Sequence, residues 1–397
     1  MLNKLTSVKD KDSVKKLSEF SSITKNSRSI YANGKLTLGL DYNEISSLCC
    51  APQKVFYSND KVYLYCQDKR VYALDGEKTN KISITEFDDV RNIIYLKDQD
   101  ATLIFDGDKM HVFGKSQSVI TCPKSKDEFY FDGRVFFVGK DSVYFNSTPN
   151  GIDGIKRQTA KSYIGVSKSF GDIVYANSFS DGITVLTKDY AVDYQTGFSL
   201  DEFYLKNSLR LNFPIEENSA VKVRDKFYYF SNGKIVSFGE KQIIEYDGLE
   251  NYTVNGRAKK YQNYYLLPVS LKGEKLVFVF DVLTKKTCFI KQTGEFFGGY
   301  QLLGDKLYAL SSVISFENAT WESKEIILSK SRSKTVRKIE VLGKDLKIQV
   351  LGENGNALIY ADDYAKKFTG ITGKKITVKV FATGKDFNLE EILLYFR

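Results

Sequence analysis

Apolar and aromatic residues along this chain come in short runs set off by turn residues, and one such phrase recurs seven times. It reads Asp60-Lys61-Val62-Tyr63-Leu64-Tyr65, Asp100-Ala101-Thr102-Leu103-Ile104-Phe105, Asp132-Gly133-Arg134-Val135-Phe136-Phe137 and Asp172-Ile173-Val174-Tyr175. It returns as Asp225-Lys226-Phe227-Tyr228-Tyr229-Phe230, Asn263-Tyr264-Tyr265-Leu266-Leu267 and Asp305-Lys306-Leu307-Tyr308. The turn residues lie about 41 residues apart on average, the period of a radial array of short strands. Further turns restart a strand after each phrase, as at Asp68-Lys69, Asp106-Gly107-Asp108 and Asn232-Gly233. A four-stranded meander of this kind cannot bury its own faces, so neighbouring blades must stack around an axis.

The widest interval holds an extra hairpin over 182–194. The stretch 197–214 after it reads as a long connection, a place to look for a partner contact. The period ends near Trp321, and 323–337 reads as a polar linker or exposed strand pair. Alternating runs follow at 336–341, 346–350, 357–360, 375–381 and 392–396, as in an antiparallel sheet with one wet face. Residues 1–29 hold six lysines, one arginine and seven serines among few apolar residues. They read as an extended arm that orders against a neighbour, with room for a short helix near 13–20. The expected fold is all-β: the arm at 1–29, a six- or seven-bladed propeller at 30–329, and a small antiparallel β-sandwich at 330–397.

Composition supports strands. There are 26 Tyr and 28 Phe, residues that favour pleated, half-buried surfaces, and five prolines leave most strands unbroken. Inter-blade packing is the commoner role for such aromatics, with sugar or base stacking the alternative. The formal charge of +9 fits alternating solvated positions, and no dense basic block interleaved with aromatics marks a DNA-reading groove. The five cysteines, Cys49, Cys50, Cys66, Cys122 and Cys288, form neither a disulfide framework nor a CxxC metal pair. The longest apolar runs, such as Leu276 to Phe280, are strand-sized, so no membrane span and no cleaved signal are expected.

Catalytic chemistry finds little footing. His111 is the one histidine, and it lies in a strand-like run where an ordinary structural place is expected. No phosphate loop or dinucleotide fingerprint occurs. The acid pairs Asp88-Asp89, Asp201-Glu202 and Asp362-Asp363 are of a type common in turns, although a glycosidase also needs two carboxylates. The expectation is no enzyme, with no catalytic, cofactor-binding or metal-binding residue to name.

At Thr320-Trp321-Glu322-Ser323-Lys324-Glu325-Ile326 the order of elements becomes familiar. Thr335-Val336-Arg337-Lys338-Ile339-Glu340-Val341, Gly373-Lys374-Lys375-Ile376-Thr377-Val378-Lys379-Val380 and Glu391-Ile392-Leu393-Leu394-Tyr395-Phe396-Arg397 follow it. The series resembles the C-terminal half of neck and tail proteins of tailed bacteriophages, the group of nozzle, hub and packaged-DNA-stabilising proteins. Two blade-like stretches, 183–188 and 219–236, are similar as well. The resemblance implies a virion structural protein, assembled in the host cytoplasm as a homo-oligomeric ring around the DNA path. Its partners would be other neck and tail proteins, with non-specific proximity to DNA in the channel. The alternatives are a propeller scaffold for protein interactions and a carbohydrate-binding propeller.

Overall fold

The computed structural model describes residues 13–20, 24–45, 48, 50–75, 78–82, 84–115, 117–146, 162–197, 202–313, 315–316 and 319–397. Residues 1–12 and 21–23 of the expected arm, 198–201 of the expected connection, Asp201 among them, and Cys49 lie outside the described residues.

The chain is all-β, a six-bladed propeller with a large C-terminal sheet beside it. Among the described residues, six separate four-stranded sheets form the blades. Five are consecutive meanders, at 52–81, 90–121, 127–165, 173–210 and 221–247. The closing blade joins Glu295–Phe296, Tyr300–Leu303 and Lys306–Ser312 to the distant strand Leu40–Ile45, which runs antiparallel to Lys306–Ser312. Between the fifth and closing blades, Tyr264–Leu271, Glu274–Asp281 and Thr287–Lys291 build one more meander with Thr253–Val254 and Lys259–Tyr261. This bridging unit is continuous with the C-terminal sheet through a parallel pairing of Arg28 with Phe289.

The repeated phrase marks hairpin turns inside the sheets in six of its seven occurrences. The fourth differs: Asp172 leads into the first strand of its blade, Ile173–Phe179, and the matching hairpin turn is at Ser180-Asp181. At Asn232-Gly233 both residues take positive φ, 47° and 79°, as a two-residue hairpin turn requires. A Cβ on Gly233 would also stand 2.8 Å from the Glu250 backbone, so no other residue fits there without movement.

Aromatic burial holds blade to blade. Phe105 of the second blade meets Phe137 of the third edge-on at 6.1 Å, and Tyr228 of the fifth lies 5.9 Å from Phe280 of the bridging unit. Phe129 and Phe136 stack at 4.9 Å within the third blade. These rings are nearly all buried, which agrees with inter-blade packing as the main use of Tyr and Phe.

Several expectations are redrawn. The stretch 197–214 is not one long connection: Phe203–Arg210 is the outermost strand of the fourth blade, paired with Tyr190–Thr196. Its side chains are almost all exposed, so it carries no apolar alternation to read. Ser13–Leu17 is a strand rather than a helix, and it pairs with Asn388–Phe396. Thr24–Arg28 pairs with Thr320–Ser323, and the hairpin Ile30–Asn33/Lys35–Leu38 joins Asn388–Phe396. The C-terminal sheet is therefore larger than the small sandwich expected at 330–397, and it takes in Ser13–Leu17, Thr24–Arg28, Ile30–Asn33 and Lys35–Leu38 as well as Thr320–Ser323 and Ile326–Ile327. Its core packs Phe20, Ile30 and Leu36 with Trp321, Ile339, Val341, Ile348, Val380 and Leu394.

Candidate functional site

Two features stand out from this scaffold: an exposed aromatic face on the C-terminal sheet, and the axis of the propeller. The sheet is dominated by two eighteen-residue strands, Lys334–Leu351 and Asn356–Gly373. Lys334–Leu351 pairs with Asn356–Gly373 along one side, and with Lys375–Ala382 and Asn388–Phe396 in succession along the other. Its inward residues Val336, Ile339, Val341, Leu346, Ile348 and Val350 are buried.

The outward positions carry something unusual for a solvated face. Cross-strand neighbours share a face of a sheet. Leu342 pairs with Tyr364, Lys338 with Phe368 and Lys347 with Tyr360. Tyr360, Tyr364 and Phe368 are 63%, 57% and 72% exposed, and Leu342 is 45% exposed. At strand rise they form a stripe roughly 25 Å long. Lysines brace it: Lys366 lies 5.3 Å from the Phe368 ring, Lys347 5.8 Å from Tyr360, and Lys338 3.5 Å from Tyr395. Glu340 accepts from Tyr395 at 2.8 Å and pairs with Lys338 at 2.9 Å, which holds its carboxyl below the usual range.

The strand edge beside this stripe is guarded. Register shifts fall at Val336/Lys338 and Gly343/Leu346, Asp363 takes φ 83°, and Lys366-Lys367 follow. Bulges and lysines of this kind discourage strand addition. The face is thus the available surface, and the edge is not.

Exposed apolar side chains also occur along the propeller rim, on both faces of the outer strands. Tyr204, Leu205 and Leu209 on the outermost strand of the fourth blade are 51%, 51% and 40% exposed. Ile243 and Ile244 on the outer strand of the fifth blade are exposed as well. The Gln242 side chain accepts from the Asn212 N–H at 2.6 Å, tying the two rims together.

The axis is bolted. Arg257, just ahead of the inner strand of the bridging unit, reaches over to the third blade. Its Nη2 donates to Asp127 Oδ2 at 2.6 Å and its Nη1 to the Lys126 carbonyl at 3.0 Å. Arg257 lines two vestibules. One of about 390 Å³ runs along the bodies and C-terminal ends of the inner strands, and one of about 780 Å³ opens at their N-terminal ends.

The residues weighed from sequence do not converge. His111 is buried against Phe87, with rings 5.1 Å apart, and its Nε2 stands 4.0 Å from Asp106. Burial lowers its pKa, and Asp106 opposes that only in part. Asp88 and Asp89 lie in a turn whose N–H groups donate to Asp106, and Asp362-Asp363 lie at the bulged edge of the C-terminal sheet. Cys66, Cys122 and Cys288 are buried thiols outside any disulfide, and Cys50 is a half-buried one. Among the described residues no group of three or more His, Cys, Asp and Glu could hold a metal ion, and no helix is long and apolar enough to cross a membrane. The aromatic stripe was missed in sequence because only one of its rings, Tyr360, fell within a recognised run.

No protein-family model matches the chain. No curated protein matches it in sequence either. Among solved structures it is similar to PorZ, a surface component of the type-IX secretion system of Porphyromonas gingivalis. The identity is 9% over 82% of this chain and 46% of PorZ, with a TM-score of 0.45. This chain therefore spans less than half of PorZ. It is also similar to BamB from Moraxella catarrhalis, at 10% identity over 77% of this chain and 97% of BamB, TM-score 0.40. The WD40 domain of Neurospora crassa Pan2 is 8% identical over 68% of this chain and 91% of that domain, TM-score 0.41. None of them passes a role to this chain.

Proposed function

We propose that the protein is a non-enzymatic structural subunit that assembles head to tail into a ring. One observation carries this reading: the aromatic stripe of Tyr360, Tyr364 and Phe368, left exposed on a sheet whose other face packs an apolar core. Exposed apolar surface of this kind, braced by cations, is typical of a docking surface. Its occupant is the rim of the fourth and fifth blades on the next copy, where Tyr204, Leu205, Leu209, Ile243 and Ile244 are exposed. Two different surfaces on one chain make a heterologous contact, which closes into a ring when the rotation allows.

The setting is the neck or tail of a tailed bacteriophage, with copies surrounding the DNA path and other neck and tail proteins as neighbours. The sequence resemblance supports this setting, and the +9 formal charge suits a wall near phosphates without gripping them. The propeller axis is not that path, because the Arg257–Asp127 pair spans it. DNA would pass through the opening bounded by several copies.

Light scattering coupled to size exclusion tests the reading. The full chain forms a closed oligomer. A face variant (Tyr360→Ser, Tyr364→Ser, Phe368→Ser) and a rim variant (Leu205→Ser, Leu209→Ser) are each monomeric, and their mixture gives dimers held by the one intact contact. A wild-type chain that stays monomeric, or variants that assemble like wild type, refutes the proposal.

A further inference from the structure

Two thiols meet at the edge of the first blade. Its first two strands are Pro52–Ser58 and Lys61–Cys66, and Pro52 pairs with Cys66 across them. The Gln67 N–H donates to the Ala51 carbonyl at 2.9 Å, so residues 50–52 run alongside 66–67. The Cys66 thiol hydrogen-bonds to the Cys50 sulfur, and both side chains pack into one apolar cluster with Val62 and Leu64. Cys66 is 1% exposed and its backbone is fixed on both sides. Its N–H donates to the Arg70 carbonyl at 3.0 Å, and its carbonyl accepts from the Lys69 N–H at 2.9 Å. Cys50 is half-buried, so a small solute reaches it first.

The surroundings favour reaction at Cys50. The hydrogen bond from Cys66 holds its pKa below the usual thiol range, against burial and Asp68. Asp68 is itself occupied: it accepts from the Tyr72 hydroxyl at 2.6 Å and lies 3.7 Å from Arg70. Burial pushes the Cys122 thiol up, and that of Cys288 up to about 12, so these two are poor nucleophiles.

We propose that Cys50 and Cys66 form an oxidation site, which hydrogen peroxide closes into a disulfide that staples the first blade. The Cys50 thiolate attacks one peroxide oxygen and the O–O bond breaks, which leaves a sulfenic acid; the released hydroxide takes up the thiol proton as water. The Cys66 sulfur then attacks that of Cys50, the S–O bond breaks, and a second water leaves with the Cys66 proton. Two thiol hydrogens and one peroxide become one disulfide and two waters, so the dithiol is oxidised and the peroxide reduced. The cross-link closes a loop over residues 51–65, just after the strand Leu40–Ile45 that closes the propeller. The site is independent of the ring contacts proposed above, since neither cysteine belongs to the aromatic face or the rim.

Treating the reduced full chain with hydrogen peroxide near pH 7.5, then alkylating and mapping peptides by mass, tests the site. The wild type should lose two hydrogens and give peptides joined at Cys50 and Cys66, and dithiothreitol should restore both thiols. Cys49→Ser should cross-link as the wild type does. Cys50→Ala should form no link and leave Cys66 reduced, whereas Cys66→Ala should leave a sulfenic acid at Cys50 that dimedone traps. If the buried Cys66→Ala variant does not fold, the wild-type map and Cys50→Ala decide. The oxidised wild type should unfold at higher urea concentration than the reduced chain, followed by circular dichroism. The proposal is overturned if both thiols stay reduced while glutathione in the same tube is oxidised, if the link runs through Cys49 or joins two chains, or if oxidation leaves the urea midpoint unchanged.

Discussion

Replacing Phe20 by alanine tests whether the N-terminal strands hold the C-terminal sheet together. The Phe20 side chain is fully buried, and its ring meets Trp321 edge-on at 5.4 Å. The Trp321 indole N–H donates to Thr24 Oγ1 at 2.8 Å, and that hydroxyl donates to the Phe20 carbonyl at 2.6 Å. Deleting a buried phenyl ring costs about 3–5 kcal/mol, of which the aromatic pair accounts for about 0.5–1.5. That is a large share of a total stability of about 5–15 kcal/mol. Trp321 is the one tryptophan, so its emission reports on this contact without interference. In urea unfolding followed by tryptophan emission, the variant should start from a red-shifted native spectrum and unfold at a lower midpoint with an unchanged slope. Wild-type emission together with a wild-type midpoint would show that residues 13–28 do not dock on the sheet as described.

Two further outcomes follow from buried or bridging charges. Arg257→Met should destabilise the chain by about 1–2 kcal/mol, discounted because both partners are partly exposed, and a double-mutant cycle with Asp127→Asn should show clear coupling; additive effects would mean that the axis is not bolted. His111 is held neutral by burial, with its folded pKa below the unfolded value of 6.5. Its contribution is therefore full above that value and is lost as pH falls through it, so His111→Gln should flatten the loss of stability between pH 8 and pH 5 measured by urea unfolding; an unchanged pH profile would contradict the assignment.

The blades were legible because each central strand carries a continuous apolar run after a turn, as in Asp132-Gly133 before Arg134–Val138. Outer strands were not. Phe203–Arg210 buries neither face, so it lacks the alternation that identifies a strand. The long strands of the C-terminal sheet looked like several short ones, because bulges near Lys338 and at Gly343/Leu346 reset the alternation part-way. Ser13–Leu17 is polar and five residues long, and its structure depends on a partner strand at the opposite end of the sequence. Local pattern carries no information about such a partner. Exposure of Tyr364 and Phe368 was hidden for the same reason: a ring on a strand looks alike in sequence whether or not another layer covers it.

Chain path decides how the aromatic face is tied to the propeller. Residues 13–38 supply strands to the C-terminal sheet, and the very next strand, Leu40–Ile45, closes the ring of blades. Only Gly39 separates the two tasks, and it is packed so closely that an added Cβ would sit 3.1 Å from the Ser29 carbonyl and 3.3 Å from Cys288 Sγ. Its N–H donates to the Ser29 carbonyl, the Ser29 N–H donates to Phe289, and Arg28 pairs with Glu274 at 2.5 Å. At Gly39 the sheet is thus fastened both to the bridging unit and to the closing blade, with a single residue between the two strands. A sheet that swung away would pull at the strand that closes the propeller, and the closed ring resists by losing a full antiparallel pairing. In the proposed ring, load applied to Tyr360, Tyr364 and Phe368 by a neighbouring copy would therefore pass directly into the ring of blades, which is the mechanical property that a wall-forming subunit needs.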